Sequence, residues 1–144
     1  MATSNNFFLH GCFSLLALFL IGGCGGSSGP ELGQVHGVVT LDGNPIEGAD
    51  VMFNPVAEGR GSLGTTDANG NYTLQYTNNQ TGATVGEHSV VITTKREGFS
   101  DESGAGQDVE ARAEMLPAKY HEDTELTATV NEGDNTIDFE LTSN

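Results

Sequence analysis

The chain has no Trp, three Met, two Cys and five Lys and Arg against twenty Asp and Glu, a formal charge of −15 over 144 residues. Cations so few, scattered from Arg60 to Lys119, exclude a nucleic-acid binder, because phosphate backbones are held by clustered Lys and Arg. They equally exclude charge-driven docking on an anionic lipid surface. The longest apolar run, Phe13 to Ile21 with Ser14 inside it, falls well short of the ~20 residues a helix needs to cross a bilayer. From Gln34 onward no segment repeats the spacing of an amphipathic helix. What is present is 36% hydrophobic residues, 17% charged residues and 20 Gly, enough apolar side chain for a packed core and enough Gly for many turns.

The apolar run has the length of the core of an export signal. It is followed by Leu20-Ile21-Gly22-Gly23-Cys24, a branched aliphatic residue, two minimal residues and a thiol. This arrangement resembles the bacterial lipoprotein signal, in which small residues let the peptidase reach the backbone and the Cys takes a diacylglycerol. The resemblance implies cleavage between Gly23 and Cys24 and lipidation of Cys24; an ordinary cleaved signal is the alternative. Cys12 lies within the removed segment, so the mature chain keeps one Cys at its start and can form no internal disulfide. Acylation also removes a reactive thiol from an oxidising compartment. Each buried CH₂ of an acyl chain contributes ~0.8 kcal/mol of membrane affinity, so two or three chains anchor permanently. Gly25-Gly26-Ser27-Ser28-Gly29-Pro30 is then a leash reaching roughly 15 Å. The chain divides into a signal peptide (1–23), a lipidated Cys with its linker (24–33) and a folded body (34–144).

In the body the apolar pattern has period two, with turn chemistry about every ten residues, which predicts an all-β sandwich. Val35, Gly37, Val39 and Leu41 share one face of a first strand, and Asp42-Gly43-Asn44-Pro45 supplies a turn. Ala49, Val51 and Phe53 form the inner face of the second strand. Leu63 to Thr66 leads into Asp67-Ala68-Asn69-Gly70, where Asn69 and Gly70 suit a type I′ turn with both residues at positive φ, and Tyr72, Leu74 and Tyr76 alternate after it. Val90 and Ile92 face inward from a strand over Glu87 to Thr94. A last pair, Leu126/Ala128/Val130 and Ile137/Phe139/Leu141, is joined by a turn at Glu132-Gly133-Asp134-Asn135. The result is a seven-stranded antiparallel Greek-key sandwich of immunoglobulin-like kind. Lys95 to Pro117 breaks the alternation, is rich in acids and has the length of a functional loop. Within it Ala111 to Met115 suits a helical turn stopped by Pro117.

Val35-His36-Gly37-Val38-Val39-Thr40-Leu41-Asp42-Gly43, Pro45-Ile46-Glu47-Gly48-Ala49-Asp50-Val51 and Thr66-Asp67-Ala68-Asn69-Gly70-Asn71-Tyr72 resemble the carboxypeptidase regulatory-like domain, a transthyretin-like β-sandwich. Val85-Gly86-Glu87-His88, Leu116-Pro117-Ala118-Lys119-Tyr120 and Gly133-Asp134-Asn135-Thr136 fit its small bacterial lipoprotein version. The resemblance spans nearly the whole mature chain, and its motifs are turns and core positions that carry fold and are silent on activity. It implies an accessory, non-catalytic module. Transthyretin-like hydrolases share the fold, but their His/Arg residues and C-terminal Tyr-Arg-Gly-Ser signature are absent from a chain ending Glu140-Leu141-Thr142-Ser143-Asn144.

No cofactor and no catalytic residue are assigned. His36, His88 and His121 lack the spacing of a zinc site, and no Gly-Xaa-Ser-Xaa-Gly elbow occurs. Asp67-Ala68-Asn69-Gly70 has the look of the start of a calcium loop, but the twelfth position would be Asn78, so a hairpin turn is the reading. The candidate calcium ligands are Asp101, Glu102, Asp108 and Glu110, with Glu97 and Glu114 nearby; weak extracellular calcium sites are built from such carboxylates. Against them stands a plain solubilising face. Tyr76, Phe99 and Tyr120 are the aromatics that a carbohydrate site would use. The expectation is an exported protein, lipid-anchored to the cell envelope, acting as a structural or protein-interaction module with an envelope protein or glycan as partner. A calcium- or carbohydrate-binding lipoprotein using residues 95–117 is the second reading and a transthyretin-like hydrolase the third.

Overall fold

A computed structural model describes residues 29–100 and 108–144. The signal, Cys24 with most of its linker, Asp101 and Glu102 lie outside the described residues. The body is an all-β sandwich of two sheets. The first is organised around β1 (Leu32–Leu41). On one flank β1 pairs antiparallel with β2 (Asn44–Pro45), β5 (Asn71–Thr73) and β8 (Ala83–Thr84), and on the other it pairs parallel with β11 (Gly133–Thr136) and β12 (Phe139–Leu141). The second sheet is antiparallel throughout, in the order β10 (Thr127–Val130), β9 (Gly86–Thr93), β3 (Asp50–Pro55), β4 (Ser62–Thr65), β6 (Gln75–Thr77), β7 (Gln80–Thr81).

Alternation decides which side chains fill the space between the sheets. Val35 and Val39 of β1, Val51 and Phe53 of β3, and Val90 and Ile92 of β9 are fully buried. Phe53 meets Phe139 edge to face, ring centroids 6.1 Å apart and planes at 75°, the arrangement that aromatic quadrupoles favour. Tyr72 fills the same space and donates its hydroxyl to the Ile137 carbonyl at 2.7 Å, so its polar end is satisfied where it is buried. Burial pushes the Tyr72 phenol far above its ordinary range, with Asp138 adding to the effect.

Several local expectations are corrected by the coordinates. Tyr72 to Tyr76 is no single strand: β5 belongs to the first sheet and β6 to the second, with Leu74 at the crossing, its amide bonded to the Val35 carbonyl at 2.9 Å. The final pair is no hairpin either, because β10 closes the second sheet and β11 crosses to the first. Asn135, only 8% exposed, anchors that crossing; its Oδ1 accepts the Asn131 amide at 2.9 Å, and its Nδ2 donates to the Asn131 carbonyl at 2.8 Å and the Gln34 carbonyl at 3.0 Å. Gly37 admits the parallel neighbour, since a Cβ there would stand 1.8 Å from the Ile137 carbonyl oxygen.

The positive-φ pair predicted at Asn69-Gly70 occurs instead at Asp42-Gly43, with φ of 51° and 81° in the two-residue loop between Leu41 and Asn44. At the other turn only Gly70 has positive φ. There Asp67 Oδ1 takes the amides of Asn69 at 2.8 Å and Asn71 at 2.9 Å, a side-chain turn that removes the need for a second left-handed residue. The Asn71 side chain, followed by these amides, lowers the Asp67 pKa. Ala111 to Met115 forms no helix; Arg96 pairs with Arg112 and Phe99 with Val109 as antiparallel bridges, and a 3₁₀ turn, the one helical segment among the described residues, comes after Pro117 at Ala118–Tyr120.

Candidate functional site

Strand β1 gives the molecule two ends. Its first residue, Leu32, lies two residues after Pro30, and β8 and β11 lie beside that end. Its last residue, Leu41, is about 30 Å away at ~3.3 Å per residue. At this far end a groove of about 720 Å³ opens between the Asp42-Gly43 turn with β2, the Ile46 to Gly48 loop, and the base of a finger formed by the bridged legs 95–99 and 109–112.

The groove is rigid where it matters. Thr66, nearly buried, donates its hydroxyl to the Ile46 carbonyl at 2.6 Å and accepts the Ala49 amide at 2.8 Å, while its carbonyl takes the Gly48 amide at 2.9 Å. Those three bonds set the loop before β3. Arg112 then clasps it from the finger: Nε donates to the Thr94 carbonyl at 2.6 Å, Nη1 to the Glu47 carbonyl at 3.1 Å, and Nη2 to the Gly48 carbonyl. Arg96 and Arg112 are bridge partners, exchanging amide-to-carbonyl bonds of 3.0 and 2.9 Å. Their side chains come together beside Gly48, where a Cβ would lie 3.0 Å from Arg96 Nη2 and 3.2 Å from Arg112 Nη1. Among the described residues the ion pairs are His36 with Asp134 at 3.3 Å and Lys95 with Glu97 at 2.7 Å, and neither arginine takes part in one. Leu41, Pro45, Ile46 and Met115 make the apolar walls.

Glu114 is a fastener. Its carboxylate accepts the hydroxyls of Thr93 and Thr94 at 2.5 Å each and the amides of Thr94 at 3.1 Å and Leu116 at 2.9 Å. Burial alone would raise its pKa, but the bonds from Thr93, Thr94 and Leu116 outweigh it and hold the carboxyl at about 2. Of the predicted calcium ligands, Asp108 and Glu110 are exposed on the finger. Among the described residues no three His, Cys, Asp or Glu side chains converge as a metal site.

The histidines serve separate partners. His36 Nδ1 faces Asp134 and its Nε2 the Thr136 hydroxyl at 3.0 Å. His88 is 1% exposed, its ring centroid 5.6 Å from that of Phe53 and its Nε2 bonded to the Thr84 carbonyl at 2.7 Å. His121 Nε2 bonds the Leu116 carbonyl at 3.0 Å. Of the three candidate aromatics, Phe99 is exposed, Tyr76 half-buried and Tyr120 buried, and none lines the groove. The Ser143 side chain, followed by its amide at 3.1 Å, lowers the pKa of the turn residue Asp42 and ties the last residues to the groove. Gly133 takes a φ of 83° at the opposite end.

Neither Arg96 nor Arg112 stood out in the sequence. The signal available was compositional: three of the five cations of the chain, Lys95, Arg96 and Arg112, fall within the acidic segment 95–117. No protein-family model matches the chain, and no curated protein or solved structure matches it either.

Proposed function

We propose that the protein is a lipid-anchored module of the cell envelope that binds a partner without catalysis, its sandwich acting as a spacer that carries the groove away from the membrane. The observation behind this reading is the course of β1, which starts at the linker from Cys24 and ends at the groove. The resemblance to carboxypeptidase regulatory-like domains supports an accessory role, and the lipoprotein-like sequence around Cys24 supports the anchor. The carbonyl-held guanidinium of Arg112 and the aliphatic walls suit recognition, which needs fixed donors and desolvated surface.

The test is expression of the full chain and its Cys24→Ala variant in a bacterial host, followed by membrane fractionation and labelling with a fatty-acid probe. The wild-type chain incorporates label and sediments with membranes, and the variant does neither. A variant that still sediments and labels removes the anchor reading. A crosslinker placed at Asn44 captures envelope proteins that one placed at Thr84 does not; equal capture at both ends removes the spacer reading.

A further inference from the structure

Two like charges meet at the far end of a chain that carries four times as many acids as cations. The Arg96 and Arg112 tips flank Gly48 at 3.0 and 3.2 Å from the same point. Among the described residues no carboxylate lies within ion-pairing distance of either. The acceptors that hold Arg112 are backbone carbonyls of Thr94, Glu47 and Gly48, which fix a guanidinium without cancelling its charge. An arginine has five N–H donors in a planar fork, and three of those of Arg112 are engaged, leaving two. A held guanidinium with a second beside it, neither in an ion pair among the described residues, suits a carboxylate, which takes donors two at a time.

The rest of the groove narrows the ligand. Its walls beside the arginines are aliphatic, from Pro45, Ile46 and Met115, with Met115 55% exposed. Among the described residues that line it there is no aromatic ring on which a sugar face would stack. The net charge of −15 repels an anionic body and attracts a cationic one. Glu47 and Asp42 stand exposed on the rim, placed to meet positive groups beyond the carboxylate. We infer that the groove captures the free C-terminus of a basic polypeptide, its carboxylate on Arg96 and Arg112 and an apolar last side chain against Ile46 and Met115. This rests on the proposal that the far end is the binding end.

The experiment uses the full chain, labelled with ¹⁵N and purified in detergent, titrated with the peptide acetyl-Lys-Ala-Lys-Ala-Leu as free acid, with the same peptide as C-terminal amide, and with inorganic phosphate. The free acid shifts the Arg112 Nε–H and Gly48 amide resonances and saturates, while the amide binds at least about tenfold more weakly, as loss of one charge-assisted contact requires. Arg112→Gln loosens the loop as well as the site, so Arg96→Gln is the discriminating variant: it loses about tenfold in affinity for the free acid with an unchanged melting midpoint. Equal binding of acid and amide, tighter binding of phosphate than of the free acid, or an unchanged affinity in Arg96→Gln each overturn the assignment. The fractionation of the Cys24→Ala pair and the crosslinking at Asn44 and Thr84 are read separately, so a peptide that fails to bind removes the ligand class and leaves the presentation reading to stand or fall by its own test.

Discussion

Thr94 gives all of its backbone and side-chain polar groups to the returning leg of the finger. Its hydroxyl and amide are bound by Glu114 at 2.5 and 3.1 Å, its carbonyl by Arg112 Nε at 2.6 Å, and its hydroxyl also accepts the Met115 amide at 2.9 Å. Thr94 is fully buried at the end of β9, so the finger base is bolted to the second sheet and Arg112 is fixed with it.

Glu114 makes this junction pH-sensitive. Its folded pKa of about 2 lies below the ordinary 4.5, so its contribution is complete above 4.5 and is lost as pH falls toward 2. Because the carboxylate is partly in solvent, screening reduces the effect to roughly 1 kcal/mol. Glu114→Gln lowers the melting midpoint at neutral pH and flattens its decline on acidification. A parallel decline in both proteins would refute the assignment.

Phe53 joins the two sheets through Phe139. Phe53→Ala costs about 3–5 kcal/mol, much of the ~5–15 kcal/mol that a domain of this size has in total. Met52→Ala, one residue away on the outer face and 40% exposed, stays within about 0.5 kcal/mol. Urea unfolding of the two variants measures the difference, and similar midpoints would contradict the inward assignment of Phe53.

Gly37→Ala tests the parallel C-terminal strand. A methyl group 1.8 Å from the Ile137 carbonyl forces β1 and the segment before β12 apart. Amide exchange at Ile137, whose N–H bonds the His36 carbonyl at 2.8 Å, accelerates by orders of magnitude, while exchange at Val51 and Ile92 in the second sheet changes far less. Uniform acceleration across both sheets would mean that the strand does not dock as a separate unit.

Millimolar calcium leaves the melting midpoint of the full chain unmoved relative to a chelator control. A site with a Kd near the ~0.1–1 mM of weak extracellular modules would raise it through mass action. Glu114, one of the acids grouped with the calcium candidates, is committed to Thr93 and Thr94. A rise of several degrees would return the acidic finger to consideration as a cation site.

Much of the sandwich was legible because strand alternation has a period of two wherever one face is buried. Val35, Val39, Val51, Phe53, Val90 and Ile92 announced their inward faces, and Asp42-Gly43 announced a turn. Periodicity carries no sign for strand direction or for sheet membership. That is why Tyr72 to Tyr76 read as one strand although Leu74 passes between sheets, and why the last two strands read as a hairpin. The turn at Asp67 was placed correctly and typed wrongly, because the Asp67 carboxylate performs what a second positive φ would have done.

The sequence by itself determined an all-β body, its inner faces, its turn positions, its negative charge and a short apolar segment, Phe13 to Ile21, followed by Gly22-Gly23-Cys24. These follow from local rules: side-chain alternation, φ permissiveness and composition. Only the tertiary structure decided that β1 is flanked by parallel and antiparallel neighbours at once, and that Arg96 and Arg112 meet over Gly48. Those relations join residues from Leu32 to Leu141, and they depend on which backbone carbonyls come into reach when two sheets pack, a quantity with no local signature.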